Sequence, residues 1–216
     1  MKGFDLTLYL VTDSNEMNEK DFLDVVKKAC DGGITMIQLR EKEKSGTEYL
    51  YLALKVREIA DGYGIPLIID DLIDVALASG AAGVHLGQTD IPVCVARDLM
   101  GNDKIIGASA KTKEQALRAK AEGADYLGVG AIFPTTTKVI TKITEVSTLN
   151  EIAEVTKLPV VAIGGLNSSN IDVLYDSKAN GIAVVSAIMK GHDPCGTAKA
   201  LKEQVTKNFA SKAGLR

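Results

Sequence analysis

Acidic residues follow two short apolar runs in the middle of the chain. Asp70 and Asp71 come directly after the run 67–69, and Asp90 lies just beyond the run 83–86. A short helical segment between two apolar strands is typical of a parallel βαβ unit, which places both strand ends at one edge of a sheet. Neighbouring strands lie about 4.8 Å apart, so Asp71 and Asp90 are close enough to share a cation. Carboxylates without nearby cysteine suit Mg²⁺ better than Zn²⁺. The alternative is a set of solvated strand-end aspartates.

Other segments carry groups that bind anions. Arg40 and Lys42 follow another apolar run, and Arg can grip a phosphate through two hydrogen bonds. Alone, the run 40–44 is more typical of a solvated charged face than of an anion site. The segment 133–138 opens a long loop and supplies three hydroxyls and an ammonium, from Thr135, Thr136, Thr137 and Lys138. Long loops in compact barrels are usually functional, which favours phosphate binding over a merely polar loop.

Small residues follow the last two apolar runs. Gly164-Gly165 and Val185-Ser186 occupy positions where backbone N–H groups commonly bind phosphate. His85 lies inside an apolar run, and we interpret it as a hydrogen-bonded core residue. Two anion sites beside a divalent cation predict an enzyme that acts on two phosphorylated substrates, and a diphosphate is a candidate for one of them.

These residues must be positioned by a repeating pattern of apolar strands and amphipathic helices. Strands are predicted over residues 6–12, 34–39, 66–69, 83–86, 104–109, 125–130, 159–163 and 181–185, each followed by a helical segment. Capping boxes at 112–115 and 148–151 are expected to begin two of the helices, and 168–175 is expected to be a third. Eight units without a linker predict a single (β/α)₈ TIM barrel over residues 1–216, with its active site at the carboxyl ends of the strands.

Composition excludes several classes of protein. A net charge of −3 gives no basic surface for nucleic acid. The longest apolar runs fall well short of the roughly 20 residues that a membrane span needs. The first residues lack a signal-peptide pattern. Three widely spaced cysteines predict reduced thiols in a cytoplasmic protein rather than a disulfide framework. We expect small phosphorylated molecules as partners, with homo-oligomerisation left open.

Motifs along most of the chain resemble those of the thiamin phosphate synthase family. They are YLVTD at 9–13, QLREK at 38–42, IIDD at 68–71, GVHLGQTD at 83–90, GAS at 107–109, GADYLGVG at 123–130, FPTTTK at 133–138, AIGG at 162–165 and VVSAI at 184–188. Each motif is moderately specific, and all of them in this order are highly specific.

The resemblance implies a reaction and a set of site residues. The family joins 4-amino-2-methyl-5-hydroxymethylpyrimidine diphosphate to 4-methyl-5-(2-phosphoethyl)thiazole, giving thiamin phosphate and diphosphate. By resemblance, the pyrimidine diphosphate contacts Gln38, Leu39, Arg40, Glu41, Lys42, Asp70, Ser109 and Lys138. Of these, Arg40, Lys42, Ser109 and Lys138 are the expected catalytic residues. The thiazole phosphate contacts Thr135, Thr136, Thr137, Gly165, Val185 and Ser186. Asp71 and Asp90 hold Mg²⁺, and the implied mechanism is dissociative.

The chain departs from the family pattern at Asp70, where the family usually has Asn, and at Lys111, where a His is common. In an extended strand Asp70 and Asp71 should point in opposite directions. An ionised Asp70 that faced the substrate would repel a diphosphate. Two other functions remain open, a thiazole tautomerase-like sister barrel and a ligand-binding barrel without turnover. The cation and carboxylate residues favour the synthase.

Overall fold

The structure is a closed barrel of eight parallel strands surrounded by helices. The computed structural model describes residues 3–14, 17–135 and 142–213. The strands are β1 Leu8–Val11, β2 Met36–Leu39, β3 Leu67–Asp70, β4 Gly83–Leu86, β5 Ile105–Ala110, β6 Tyr126–Gly130, β7 Val160–Ile163 and β8 Gly181–Val184. They are hydrogen-bonded in chain order, and β1 pairs with β8 to close the barrel. The predicted TIM-barrel fold is confirmed.

Helices follow the strands along the chain. They are α1 Glu19–Asp31, α2 Gly46–Tyr63, α3 Ile73–Ser79, α4 Val93–Met100, α5 Lys113–Ala121, α6 Val146–Thr156, a 3₁₀ helix Ile171–Leu174, α7 Ser186–Met189 and α8 Pro194–Ala213. No helix in the described ranges combines the length and apolar character that a bilayer crossing requires.

Two sequence expectations about helices are wrong. The proposed capping box at 148–151 does not start α6, which begins at Val146 with Glu145 at its N-cap and no side-chain cap. The expected helix over 168–175 is only the short 3₁₀ turn after β7. By contrast, Thr112 does cap α5, because its side chain accepts a hydrogen bond from Gln115 N.

The alternation of side chains along each strand divides the core into two layers. One layer lies between strands and helices and includes Leu8, Ile37 and Val84. The other fills the barrel interior and includes Tyr9, Met36, Ile68, Tyr126 and Val161. Both faces of every strand are therefore covered, which explains why the strand sequences show almost no polar alternation.

The amino ends of β5 and β6 are held together by Arg97 of α4. Its guanidinium donates to the carbonyl oxygens of Gly101, Lys104 and Gly123 at 2.9, 2.7 and 2.8 Å. It also donates to Asp125 Oδ2 at 2.7 Å. One mostly buried side chain thus satisfies three carbonyls and a carboxylate at the end of the barrel opposite the predicted active site.

We predict that Arg97→Ala lowers the free energy of unfolding by about 3 kcal/mol, because it leaves Asp125 and the carbonyls partly buried and without this donor. Arg97→Lys should recover little of the loss, since one ammonium cannot reproduce the forked geometry. Urea denaturation measures the change. Lys28→Ala is the control, because its pair with Asp24 is exposed on both sides. Equal stability of the two Ala variants would contradict the assignment.

Candidate active site

A cavity of about 620 Å³ opens at the carboxyl ends of the strands. It brings together most of the residues predicted to form the site. Those that line it are Gln38, Arg40, Lys42, Asp70, Asp71, Asp90, Ser109, Thr135, Gly165, Val185 and Ser186. Thr136, Thr137 and Lys138, also predicted as site residues, lie outside the described residues.

The end of β2 and the residues that follow it send alternate side chains to the cavity. Gln38, Arg40 and Lys42 line it, whereas Leu39 and Glu41, predicted with them, do not. Leu39 is fully buried between the strands and the helices. Glu41 Oε2 accepts a hydrogen bond from Ser14 Oγ at 2.5 Å, away from the cavity. The period of two along an extended backbone explains this division.

Lys42 connects two carboxylates that were expected to point apart. Its ammonium lies 2.8 Å from Asp70 Oδ2 and also contacts Asp71 Oδ2. Arg40 Nε lies 3.7 Å from the same oxygen of Asp70. The expectation of opposite directions is wrong because Asp71 adopts a left-handed backbone conformation, with φ of 62°. The turn ends the strand alternation and returns the Asp71 side chain to the cavity.

The cations and carboxylates of this cluster alter one another's protonation. Burial, followed by the neighbouring Asp71 charge, raises the pKa of Asp70, and Lys42 and Arg40 oppose the rise. Burial lowers the pKa of Lys42, but its contacts with Asp70 and Asp71 outweigh that effect and the pKa is raised. Lys42 therefore stays a cation in the site.

Asp71 and Asp90 form a carboxylate pair beside this cluster. Their side chains lie close enough for each to shift the pKa of the other. Asp90 Oδ2 is fixed by the backbone N–H of Gly87 at 2.6 Å. Burial and the adjacent Asp71 raise the pKa of Asp90. Two carboxylates this close need a shared proton or a cation between them.

This pair fits Mg²⁺ better than a metal held wholly by protein. The described residues contain no group of three or more His, Cys, Asp or Glu with metal-binding geometry. Mg²⁺ commonly uses one or two carboxylates and completes its shell with water and substrate phosphates. The donor set of Asp71 and Asp90 meets that requirement.

The opposite side of the cavity is built from backbone. Gly164 and Gly165 follow β7 with φ of 102° and 65°, conformations that favour glycine. A Cβ at Gly165 would lie 2.6 Å from the carbonyl oxygen of Pro134, so the loop after β6 packs directly on this turn. Val185 and Ser186 lie nearby at the start of α7, a short helix not expected from sequence. Exposed backbone N–H groups at such a turn suit a phosphate.

Beneath the cavity runs a hydrogen-bonded series that sequence reasoning missed as a unit. Gln38 Nε2 donates to Tyr9 Oη at 2.9 Å, and Tyr9 Oη lies 2.8 Å from Tyr126 Oη. Tyr126 Oη lies 3.0 Å from His85 Nδ1, and His85 Nε2 lies 2.9 Å from Ser109 Oγ. We call these five side chains the interior chain. His85 is thus a hydrogen-bonded core residue, as expected, but it also lines the cavity.

Burial determines the protonation of the interior chain. It lowers the pKa of His85 to about 4, so the imidazole is neutral near pH 7. Burial also raises the pKa values of Tyr9 and Tyr126, which keeps both phenols protonated. In the sequence, the interior chain is indicated by Gly107 and Gly128, because glycine inside an apolar strand often marks the close approach of another group.

Comparison with known proteins identifies the family of the chain. The family model described as "Thiamine monophosphate synthase" matches residues 8–188. The "Thiamine-phosphate synthase 2" of Streptococcus pneumoniae is 51% identical over 188 residues, which are 87% of this chain and 90% of that protein. The "Thiamine-phosphate synthase" of Methanobrevibacter smithii is 45% identical over 212 residues, which are 98% of this chain and 99% of that protein.

Solved structures give the same result. The thiamine phosphate pyrophosphorylase of Pyrococcus furiosus superposes with a TM-score of 0.85 at 38% identity, covering 94% of this chain and 97% of that chain. A 3-hexulose-6-phosphate synthase superposes with a TM-score of 0.69 at 15% identity, covering 92% and 99%, and shares the fold alone. The chain therefore belongs to the thiamine monophosphate synthase family, enzymes that act as transferases in thiamin biosynthesis.

Proposed function

We propose that the chain joins 4-amino-2-methyl-5-hydroxymethylpyrimidine diphosphate to 4-methyl-5-(2-phosphoethyl)thiazole by a dissociative, Mg²⁺-assisted reaction. The observation that carries the proposal is the division of one cavity into two parts. Arg40, Lys42 and the Asp71–Asp90 pair lie on one side, and the Gly164-Gly165 turn with Ser186 lies on the other. The first side suits a diphosphate with its metal, and the second suits a monophosphate.

Departure of diphosphate is the step that the cations would assist. As the bond from the pyrimidine methylene to oxygen breaks, negative charge grows on the leaving oxygens. Arg40 and Lys42 are positioned on that side to stabilise it, with Lys138 a further candidate from sequence. Fixed charges that meet developing charge lower the barrier more than they strengthen substrate binding.

Asp71 and Asp90 would hold the metal. Bound Mg²⁺ would neutralise phosphate charge and act as a Lewis acid towards the leaving diphosphate. Asp71 and Asp90 follow β3 and β4, next to the end of β2 that carries Arg40 and Lys42, so a metal held there would add its charge to that of the two cations. Asp90 is suited to this task because the Gly87 N–H fixes one of its oxygens.

Bond formation needs no general base. The thiazole nitrogen has a lone pair and attacks the methylene cation directly, so no proton has to be removed. This agrees with a neutral His85 that is already hydrogen-bonded through both ring nitrogens. The chain's remaining task is to hold the two substrates in contact and exclude water, which would also trap the cation.

A single assay tests the proposal against its rivals. Both substrates are mixed with the purified protein and Mg²⁺, and thiamin phosphate and diphosphate are quantified. Equimolar formation of both products is the expected result. A thiazole tautomerase or a ligand-binding barrel would release no diphosphate, and that outcome would overturn the proposal.

The first prediction from the proposed reaction concerns Arg40. Arg40→Ala should lower kcat by about 100-fold with a smaller rise in KM for the diphosphate, because the lost donor acts mainly in the transition state. Steady-state kinetics separate the two constants. Lys44→Ala is the matched control, since Lys44 belongs to the same charged run but lies outside the cavity lining. A change in KM alone would assign Arg40 to binding.

The second prediction concerns the metal site. Asp90→Ala should remove most turnover and weaken Mn²⁺ binding, measured separately by titration with Mn²⁺ as a paramagnetic probe. The thermal midpoint should stay near that of the parent, because Asp90 lies at the rim of the barrel. Asp103→Ala, an exposed aspartate before β5, serves as the control. Full parental activity in excess chelator would exclude the metal.

The third prediction concerns Asp70. A carboxylate about 4 Å from a phosphate charge is unfavourable by up to about 4 kcal/mol at an effective dielectric near 20. Asp70 also engages Lys42 and approaches Arg40, the two cations that the diphosphate needs. Asp70→Asn should therefore lower KM for the diphosphate and raise kcat/KM. Equal or lower kcat/KM in the Asn variant would mean that Asp70 assists the site.

A further inference from the structure

The interior chain joins two side chains of the cavity lining that lie on different strands. Gln38 lies on β2 and Ser109 on β5, and both line the cavity. Tyr9, Tyr126 and His85 connect them through four successive hydrogen bonds of 2.8–3.0 Å. The proposed mechanism gives no task to the three connecting residues.

We propose that the interior chain couples the hydrogen-bonding direction of Gln38 to that of Ser109, which makes Tyr9, Tyr126 and His85 positioning residues. The identity of the ligand in this proposal rests on the proposed function. The coupling itself rests only on the geometry of the chain.

Counting protons determines the direction. Each phenol has one proton to donate. Gln38 Nε2 donates to Tyr9, so the Tyr9 hydroxyl turns its own proton to Tyr126. Tyr126 then donates to His85 Nδ1, which leaves the proton of the neutral imidazole on Nε2. His85 Nε2–H donates to Ser109 Oγ, and the Ser109 hydroxyl keeps its proton for a ligand.

The direction of the hydrogen bonds determines which donor and acceptor groups Gln38 and Ser109 offer to a ligand in the cavity. With Nε2 bonded to Tyr9, the carbonyl half of the Gln38 amide is left to accept from a ligand, while Ser109 donates. A ligand with an amino group at one end and phosphate oxygens at the other matches this pair, and an aminopyrimidine diphosphate is such a ligand. Reversing the chain would present an NH₂ group at Gln38 and a lone pair at Ser109, which mismatches both ends.

The barrel is built to hold this chain. His85, Gly107 and Tyr126 are register partners on three adjacent strands. A Cβ at Gly107 would lie 2.1 Å from Tyr126 Cζ and 2.5 Å from His85 Nδ1. A Cβ at Gly128 would lie 3.1 Å from His85 Cε1. Any other residue at Gly107 would separate the phenol from the imidazole, so the glycine permits the hydrogen bond.

The first test reads the His85 tautomer by ¹⁵N NMR. The chain has two histidines, so His192→Gln assigns the spectrum. The parent should show the Nε2–H form. Gln38→Glu at alkaline pH should convert His85 to the Nδ1–H form, because a carboxylate accepts from Tyr9 and reverses every bond that follows. An unchanged His85 tautomer in Gln38→Glu would overturn the proposal.

Two controls show that the effect travels through the chain. Gln115→Glu adds the same charge at another residue of the cavity lining and should leave the tautomer of His85 unchanged. Tyr126→Phe keeps the ring but interrupts the series, so Gln38→Glu in that background should no longer reverse His85. Should Tyr126→Phe fail to fold, Tyr9→Phe interrupts the same series one bond earlier. Reversal in either interrupted background would mean that charge alone acts.

The second test measures coupling in kcat/KM. Gln38→Ala and Ser109→Ala should be non-additive in the parent by roughly 3- to 10-fold. Part of this coupling should disappear in the Tyr126→Phe background, whereas coupling through a shared substrate would persist unchanged. Tyr49→Phe is the control, since its buried hydroxyl bonds to the Leu39 and Asp70 carbonyls outside the chain. An identical coupling in all three backgrounds would overturn the proposal. A correct tautomer response without synthase activity would instead count against the proposed function.

Discussion

The structure depends on the closure of eight parallel strands, because closure gives each strand one inward face and brings all carboxyl ends to one rim. On β2 this places Gln38 inward and Leu39 against the helices. A shift of one residue in that strand would exchange the two and leave a buried amide in the apolar layer. The apolar side chains that stabilise the barrel therefore also fix which polar groups reach the cavity.

A polar interior costs stability unless every buried group has a partner. The barrel meets this requirement beneath the cavity by joining its polar side chains into a single series. Tyr9, Tyr126 and His85 each bond two neighbours. The space comes from glycine at Gly107 and Gly128 rather than from smaller partners. The hydrogen bonds need polar partners and also the space that the two glycines leave. Side-chain polarity and side-chain volume are therefore matched on adjacent strands.

Much of the fold was accessible from sequence because strands buried on both faces appear as short apolar runs. β4 was predicted with the bounds that the structure shows, Gly83–Leu86. The wrong predictions concern two segments whose local sequence pattern is compatible with more than one structure. Thr148 looked like an N-cap but lies inside the first turn of α6, and the polar segment 168–175 forms only one 3₁₀ turn.

The residues of the candidate site that lie at the ends of strands could be predicted from the sequence. Arg40, Lys42 and Asp70 were found because each lies where an apolar run stops. The direction of Asp71 was not accessible, because periodicity assumes extended backbone and this residue has a positive φ. The interior chain was missed for another reason. Its hydrogen bonds join residues 24 to 117 positions apart, and only the register between strands brings them together.

The clustering of Lys42 with Asp70, Asp71 and Asp90 links metal binding to diphosphate binding. Two cations face three carboxylates here when Arg40 is included, so a diphosphate entering alone would meet a cluster without excess positive charge. Lys42 can turn to a phosphate at low cost only when another cation compensates Asp71, since an uncompensated carboxylate in a half-buried site is unfavourable. We therefore expect Mg²⁺ and the diphosphate to bind with positive coupling. An amide at position 70 would weaken that dependence by leaving Lys42 with one carboxylate instead of two.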